Sequence, residues 1–173
     1  MKTETLTRNI YTFEELSEEA QKKALYGWID ASSYDEWWEF IYEDAAQIGL
    51  NITGFDLGGR QDIDGNFTLS PCEVAQNILN NHGEGCETYK TAENFLKGWN
   101  PVYADYLDEN SEKYETRETE EEMMEMEKEF LYSLLQDYFI MLRKEYEWYF
   151  SEENAKENII CNEYEYLEDG KMA

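Results

Sequence analysis

The chain has 173 residues, of which 40 are acidic and 14 basic, so its formal net charge at pH 7 is -26. Binding to nucleic acid or to an anionic membrane surface needs Lys and Arg against phosphate groups, and this balance argues against both. The charge instead predicts cations or basic proteins as partners. Adaptation to high salt is the alternative interpretation.

Hydrophobic residues make up 42% of the chain, which is enough for a core and argues against disorder. The length predicts a single acidic domain over residues 1–173. No apolar run approaches the roughly 20 residues of a membrane span, and the start does not look like a signal peptide, so we expect a cytoplasmic protein.

The first predicted elements are two helices. Thr12 and Glu15 form a capping-box pattern, and Ser17 precedes an apolar repeat that predicts a helix over about residues 18–31. Ser33 lies at capping-box distance from Glu36, which predicts that a second helix begins there and ends at Gly49. Its predicted apolar stripe is Tyr34, Trp37, Trp38, Ile41, Ala45 and Ile48. Another face carries Glu36, Glu39 and Glu43.

The next segment changes to the alternating pattern of strands. Residues 50–56 are predicted as a strand, the turn-rich GGRQDIDGN as the connection, and FTLS at 67–70 as the antiparallel partner. Ser70 and Pro71 then predict a helix to about residue 80. After the NHGEG loop we expect a helix over about 87–97 and another from Asn100-Pro101 to about residue 108.

One long helix, over about residues 118–150, is predicted to be the central buried element, because its second half is apolar on most sides. Ser151 caps a further short helical segment, and NIICNEYEYLE is predicted as a last strand. The fold class is therefore α+β: a mostly helical single domain with a small antiparallel sheet of about three strands.

The first half of the long helix carries an acidic stripe at helical spacing. Its members are Glu118, Glu121, Glu122, Glu125 and Glu129. Like charges at this spacing destabilise an isolated helix, so the packing of the apolar half must compensate. We expect the stripe to bind a basic surface, and a simply solvated acidic face is the alternative.

Residues 62–73, DIDGNFTLSPCE, resemble a calcium-binding EF-hand loop in their oxygen ligands. The candidate metal ligands are Asp62, Asp64, Asn66 and Glu73. The loop departs from the motif at its sixth position, where Phe67 replaces the required glycine. A hairpin turn at Asp64-Gly65 followed by an ordinary helix cap is the alternative interpretation.

No catalytic constellation emerges from the sequence. The single histidine, His82, lies in a glycine-bounded loop, and no nucleophile can be assigned to it by spacing. Cys72, Cys86 and Cys161 lack CxxC spacing, and their combination with His82 resembles no usual zinc knuckle. We therefore expect a non-enzymatic protein with no cofactor and with reduced cysteines.

The segments YTFEELSEEAQKKAL, WWEFIYEDA and IGLNITGFD, within residues 11–56, are similar to small proteins carried by phages. With its acidity, the chain resembles the acidic inhibitors of bacterial defence, of the anti-CRISPR and DNA-mimic antirestriction types. The resemblance implies a stoichiometric inhibitor in the bacterial host cytoplasm that covers the basic channel of an effector such as a Cas9-type nuclease.

The acidic faces described above are the expected partner-binding surface, with Trp37 as an interface anchor if it is exposed. Channel blocking and an allosteric grip both fit this expectation. Two other functions stay open at this point. One is an interaction module such as an antitoxin, with NEYEYLEDGKMA as a peptide-like tail, and the other is a calcium-binding regulator that uses residues 62–73.

Overall fold

The structure is a computed structural model that describes residues 7–173, and its fold is α+β and mostly helical. A short 3-10 helix, Phe13–Glu15, comes first. The α-helices are α1 (Glu18–Ser32), α2 (Glu39–Ile48), α3 (Pro71–Asn81), α4 (Glu87–Leu107), α5 (Arg117–Tyr149) and α6 (Glu152–Cys161). Strands β1 (Leu50–Asp56) and β2 (Asp62–Phe67) form an antiparallel pair. The predicted fold class and long C-terminal helix are confirmed. None of the described helices has the length and apolarity that crossing a membrane requires.

The chain divides into two compact units. The terminal unit contains the residues up to Trp37 together with Glu145–Ala173, and the central unit contains Trp38–Lys144. Helix α5 contributes residues to both units. That the chain unfolds as a single domain stays a prediction, which one cooperative urea transition seen by both fluorescence and circular dichroism would support.

The terminal unit is built on α1 and α6, each begun by a serine cap. The Ser17 hydroxyl accepts a hydrogen bond from the Ala20 amide, and the Ser151 hydroxyl accepts one from the Asn154 amide. These caps satisfy amides that the first helical turn leaves without a backbone partner. The buried core of the unit consists of Phe13, Leu16, Ala20, Ala24, Leu25, Ala155, Ile159 and Tyr166.

The C-terminal segment 162–173 is held against this core. Tyr11 and Tyr166 exchange backbone hydrogen bonds of 2.9 Å, and Tyr166 also forms an antiparallel bridge with Met172. The Tyr166 side chain is only 2% exposed. Most residues of the segment are exposed, but these contacts anchor it, so it is not a free peptide-like tail.

The central unit packs a two-stranded sheet and three helices on one side of α5. Helix α2 buries Ile41, Ala45 and Ile48, as predicted, and α3 buries Val74, Ala75 and Ile78. The Phe95 ring of α4 stacks on Phe130 of α5 with 4.3 Å between ring centroids. The buried stripe of α5 in this unit is Phe130, Leu134, Leu135, Tyr138, Phe139 and Leu142.

Helix α5 is buried along one side, so the predicted central buried element keeps part of its apolar surface exposed. Tyr132 is 66% exposed and Ile140 48% exposed, although both lie within the apolar half. An amphipathic helix with one buried stripe needs no second layer over its other side. The apolar residues on that side are available for other contacts.

Helix α2 begins later than predicted, because Ser33 ends α1 instead of starting the next helix. The Ser33 hydroxyl donates to the Asp30 carbonyl oxygen at 2.7 Å, and its amide bonds the same oxygen at 3.3 Å. Gly49 ends α2 with φ of 93°, as predicted. Ser33 is therefore the C-cap of α1, and its predicted role at the start of the next helix is wrong.

Three further predictions are wrong in detail. The residues predicted as turn and calcium loop, 62–66, lie inside β2, so Asp64-Gly65 is not a hairpin turn. Helix α4 continues through Pro101, where Trp99 and Phe95 are buried and hold the chain helical. The predicted third strand is helical up to Cys161, because Ile159 packs into the terminal core.

Gly65 lets α5 come close to the sheet. A Cβ atom at this position would lie 2.7 Å from the Asn51 carbonyl oxygen and 2.9 Å from Leu135 Cδ2. Gly54 is a neighbour in the same hairpin, because it pairs with Asp64. A Cβ atom on Gly54 would have no atom within 4 Å.

We predict that Gly65→Ala lowers the free energy of unfolding by about 1–3 kcal/mol. The added methyl group has too little room between the Asn51 carbonyl oxygen of β1 and the Leu135 side chain of α5. Gly54→Ala is the matched control and should leave that free energy unchanged or slightly higher. Urea denaturation of both variants measures the difference. Equal effects would mean that the close approach at Gly65 does not constrain the fold.

Candidate functional site

The acidic stripe forms on α5 as predicted. Glu118, Glu121, Glu122, Glu125 and Glu129 are all exposed on one continuous helix. The hydroxyl of Thr116, the residue before α5, accepts a hydrogen bond from the amide of Thr119 in the first turn of the helix. Carboxylates near a helix N-terminus are stabilised by the helix dipole, which offsets part of the repulsion along the stripe.

Basic residues pair with part of the stripe. Arg117 Nε lies 2.8 Å from Glu121 Oε1, Lys113 Nζ lies 3.6 Å from Glu122 Oε2, and Lys128 Nζ lies 3.4 Å from Glu125 Oε2. All these pairs are solvent-exposed, and such pairs contribute little to stability. Glu118 and Glu129 take part in no ion pair among the residues that the structure describes.

Of the second predicted acidic face, only Glu39 and Glu43 lie on α2, so the helical spacing that predicted the face applies to these two residues alone. Glu36 precedes α2 and belongs to the terminal unit, whereas Glu39 and Glu43 lie exposed on α2 in the central unit. The physical reason is the capping role of Ser33 in α1, which delays the start of α2. Glu39 and Glu43 remain one helical turn apart on the same face.

Trp37 is half-buried in an aromatic cluster of the terminal unit. Its ring centroid lies 5.6 Å from that of Tyr146 and 6.3 Å from that of Phe150. The Tyr149 hydroxyl in this cluster donates to Asp35 Oδ2 at 2.8 Å. Tyr34, predicted at the margin of the core, is instead 89% exposed. A role for Trp37 as an interface anchor stays a prediction.

The candidate calcium ligands are not brought together. Asp62, Asp64 and Asn66 lie in β2, and the Asn66 side chain accepts a hydrogen bond from Asn51 on the paired strand. Glu73 Oε2 accepts from the Ser70 hydroxyl at 2.6 Å in the capping box of α3. Across residues 7–173, no group of three His, Cys, Asp or Glu side chains could hold a metal ion. The EF-hand arrangement therefore does not form, because strand pairing extends the segment that would have to curl.

A cleft that the sequence did not predict lies in the central unit. Its volume is about 570 Å³, within the usual range of ligand sites. The residues that decide its chemistry are Asp44, His82, Glu87, Asp137, Ile140 and Lys144. They come from α2, from the α3–α4 connection, from the start of α4 and from α5.

His82 is held at both ring nitrogens. Nδ1 lies 2.7 Å from the Thr88 hydroxyl, and Nε2 lies 3.6 Å from Asp44 Oδ1. Asp44 Oδ2 also accepts a hydrogen bond of 2.7 Å from the Tyr138 hydroxyl. The nearby His82 ring nitrogen lowers the pKa of the Asp44 carboxyl, whereas burial raises the pKa of the Tyr138 hydroxyl. Thr88 is buried near the start of α4, so its hydrogen bond to Nδ1 orients the imidazole of His82.

Asp137 is the polar residue of the cleft that lacks a cation. Its Oδ2 accepts a hydrogen bond of 2.7 Å from the Thr91 hydroxyl, and no ion pair of the described residues includes it. Burial, with a smaller contribution from the nearby Glu87, raises the pKa of the Asp137 carboxyl. A carboxylate inside the apolar run LLQDYFIML was the signal in the sequence that could have identified it.

No protein-family model matches the chain, and neither does any curated protein or solved structure. The residues and their geometry are therefore the basis for inferring a function.

We predict that Asp137→Asn raises the free energy of unfolding at pH 7. The folded-state pKa of Asp137 is raised above its ordinary value of 3.8, so the native protein holds its proton more tightly than the unfolded chain does. Stability therefore falls as pH rises from about 4 through the folded-state pKa. The asparagine removes this loss, and its side-chain oxygen can still accept from Thr91.

Denaturation of the variant and the native protein at pH 7 and near pH 4 measures the effect. The difference in unfolding free energy should shrink as pH falls toward 4. Asp105→Asn, at an exposed position on α4, removes the same charge and is the control. If both variants gain equally at pH 7, only the lower net charge is responsible.

Proposed function

We propose that the protein is a stoichiometric inhibitor of a nucleic-acid-targeting defence effector, with a Cas9-type nuclease as the favoured target. In this proposal the acidic stripe of α5 occupies the basic surface that otherwise holds nucleic acid. Such effectors hold their nucleic acid in a positively charged channel. A net charge of -26 suits a partner of that kind.

The observation that carries the proposal is that every member of the stripe is exposed. Its carboxylates follow one regular helix, with about 5–6 Å between the Cβ atoms of neighbouring members. This spacing is comparable to that of successive phosphates on a nucleic-acid strand. The stripe therefore offers a basic channel a row of negative charges at a spacing similar to that of nucleic-acid phosphates.

The cations beside the stripe do not oppose this role. Arg117, Lys113 and Lys128 form exposed pairs, which a partner's basic side chains can replace at small free-energy cost. Residues 111–129 still contain nine acidic and three basic residues. Association should therefore be accelerated by electrostatic steering and slowed by salt.

Exposed apolar residues supply the other part of an interface. Met124 is 56% exposed on α5, and Phe40 is 53% exposed on α2 beside Glu39. Interfaces place such groups at their centre and charges around them. The choice of a defence effector as the target rests on the expected similarity of residues 11–56 to phage-borne proteins.

The proposal is tested by capture followed by competition. The immobilised protein is incubated with bacterial lysate, and the captured protein is purified and titrated in a DNA-binding assay. We expect its DNA binding to disappear at a molar ratio near the stoichiometry of the complex, and to return at high salt. A captured protein that binds DNA normally in the presence of excess inhibitor would contradict the proposal.

We predict that changing Glu118, Glu121, Glu122 and Glu125 together to Gln lowers the association rate constant for the target by about tenfold at low salt. The physical reason is the loss of the steering charge. The salt dependence of the rate should weaken in parallel. Stopped-flow or surface plasmon resonance measurements at several ionic strengths give both quantities.

The matched control changes the same number of exposed glutamates in the terminal unit. It replaces Glu14, Glu157, Glu163 and Glu168 with Gln. Circular dichroism of both variants checks that they fold. Equal slowing in both would assign the steering to net charge alone and remove the stripe from the interface.

A further inference from the structure

The cleft of the central unit has the features of a binding site for an alkyl chain that ends in a cation. Three carboxylates line it, those of Asp44, Glu87 and Asp137, together with the single ammonium group of Lys144. Glu87 is already paired with Lys90 at 2.7 Å, and Asp44 accepts one hydrogen bond from Tyr138 and faces His82. Asp137 is the carboxylate left without a positive partner.

The position of Asp137 is unfavourable for the free protein. Its carboxylate is half-buried, accepts one hydrogen bond from Thr91, and lies near a second carboxylate, Glu87. A half-buried charge without a counter-ion destabilises the fold. Groups maintained at such a cost are concentrated at functional sites, because a ligand that supplies the missing charge reverses the cost.

The wall of the cleft beside Asp137 is apolar. Ile140 and Met141 follow on the next turn of α5 and are 48% and 36% exposed, although they lie between buried positions of the same helix. Methylene groups laid along these side chains would leave water. A carboxylate next to an apolar wall matches the two parts of an arginine or lysine side chain.

We propose that this cleft binds an alkyl chain ending in a guanidinium or ammonium group, supplied by an arginine or lysine side chain of the basic partner. The terminal cation pairs with Asp137, and the stem packs on Ile140 and Met141. The source of the side chain rests on the proposed function, whereas the affinity of the cleft for the cation does not.

Other ligand classes fit the cleft less well. A metal ion would need at least three close ligands, which the described residues do not provide here. An anion would meet Asp137, Glu87 and Asp44 with only Lys144 to attract it. Lys144 has no ion pair among the described residues and is free to compete for the carboxylates in the empty cleft.

The first experiment uses small probes and no partner. N-acetyl-arginine methylamide is titrated into the protein at low salt, and the methyl resonances of Ile140 and Met141 are followed by NMR. The citrulline analogue, which has the same length and no charge, is the control ligand. We expect saturable binding of the arginine probe that is about tenfold tighter than that of the citrulline probe.

Variants then identify the group that binds. Asp137→Asn should weaken the arginine probe about tenfold while the protein stays folded, since the Thr91 hydrogen bond is retained. Lys144→Met should strengthen binding of the same probe, because it removes the competing cation. Asp105→Asn controls for net charge. Equal binding of the two probes, or no effect of Asp137→Asn, would overturn the proposal.

The second experiment tests the source of the cation. The affinity of the captured target is measured for Asp137→Asn and for Asp105→Asn, and a loss of about tenfold confined to Asp137→Asn supports the partner's side chain. Discrimination between the small probes without a loss of target affinity would overturn the partner source and assign the cleft to a free cation such as putrescine. If no target is inhibited, the proposed function fails, yet the probe titrations still decide the chemistry of the cleft.

Discussion

The buried stripe of α5 is the constraint on which the rest of the central unit depends. Phe130 receives the ring of Phe95 from α4, Leu135 lies against Gly65 of β2, and the Tyr138 hydroxyl binds Asp44 of α2. The hydrophobic effect holds these elements on one side of the helix. The other side is thereby left free, and it carries the carboxylates and the exposed apolar residues.

This one-sided arrangement explains how the fold tolerates its charge. Repulsion between neighbouring glutamates costs a few tenths of a kcal/mol per pair on a helix surface, whereas burial of one large apolar side chain contributes about 1.5–3 kcal/mol. The glutamates of the stripe lie between Glu118 and Glu129, whereas the buried apolar residues of α5 begin at Phe130. The charges therefore do not disturb the packing of the apolar side chains. The free-energy cost of this repulsion is therefore small enough for the fold to tolerate an acidic binding surface. The half-buried carboxylate of Asp137 is a more costly case, because partial burial removes part of its hydration and no cation among the described residues compensates for the loss.

The helix starts show why some of the fold could be predicted. Ser17, Ser70 and Ser151 all cap the helices that the sequence indicated, since a cap needs only a hydroxyl and the amides of the next turn. Predictions failed where two local patterns competed. Ser33 satisfies a C-terminal role in α1, and Pro101 stays within α4 because aromatic packing outweighs the preference of proline for a helix start.

The sequence by itself determined the acidity, the helical class and the exposed row of glutamates on α5, because charge is a matter of composition and a helix face follows from a spacing of three and four residues. Only the tertiary structure decided that α2 begins after Glu36, that residues 62–66 are strand, and that a cleft joins Asp44, His82 and Asp137. The cleft residues Asp44, His82 and Asp137 are far apart in the chain. Long-range packing brings them together, and no local pattern records it.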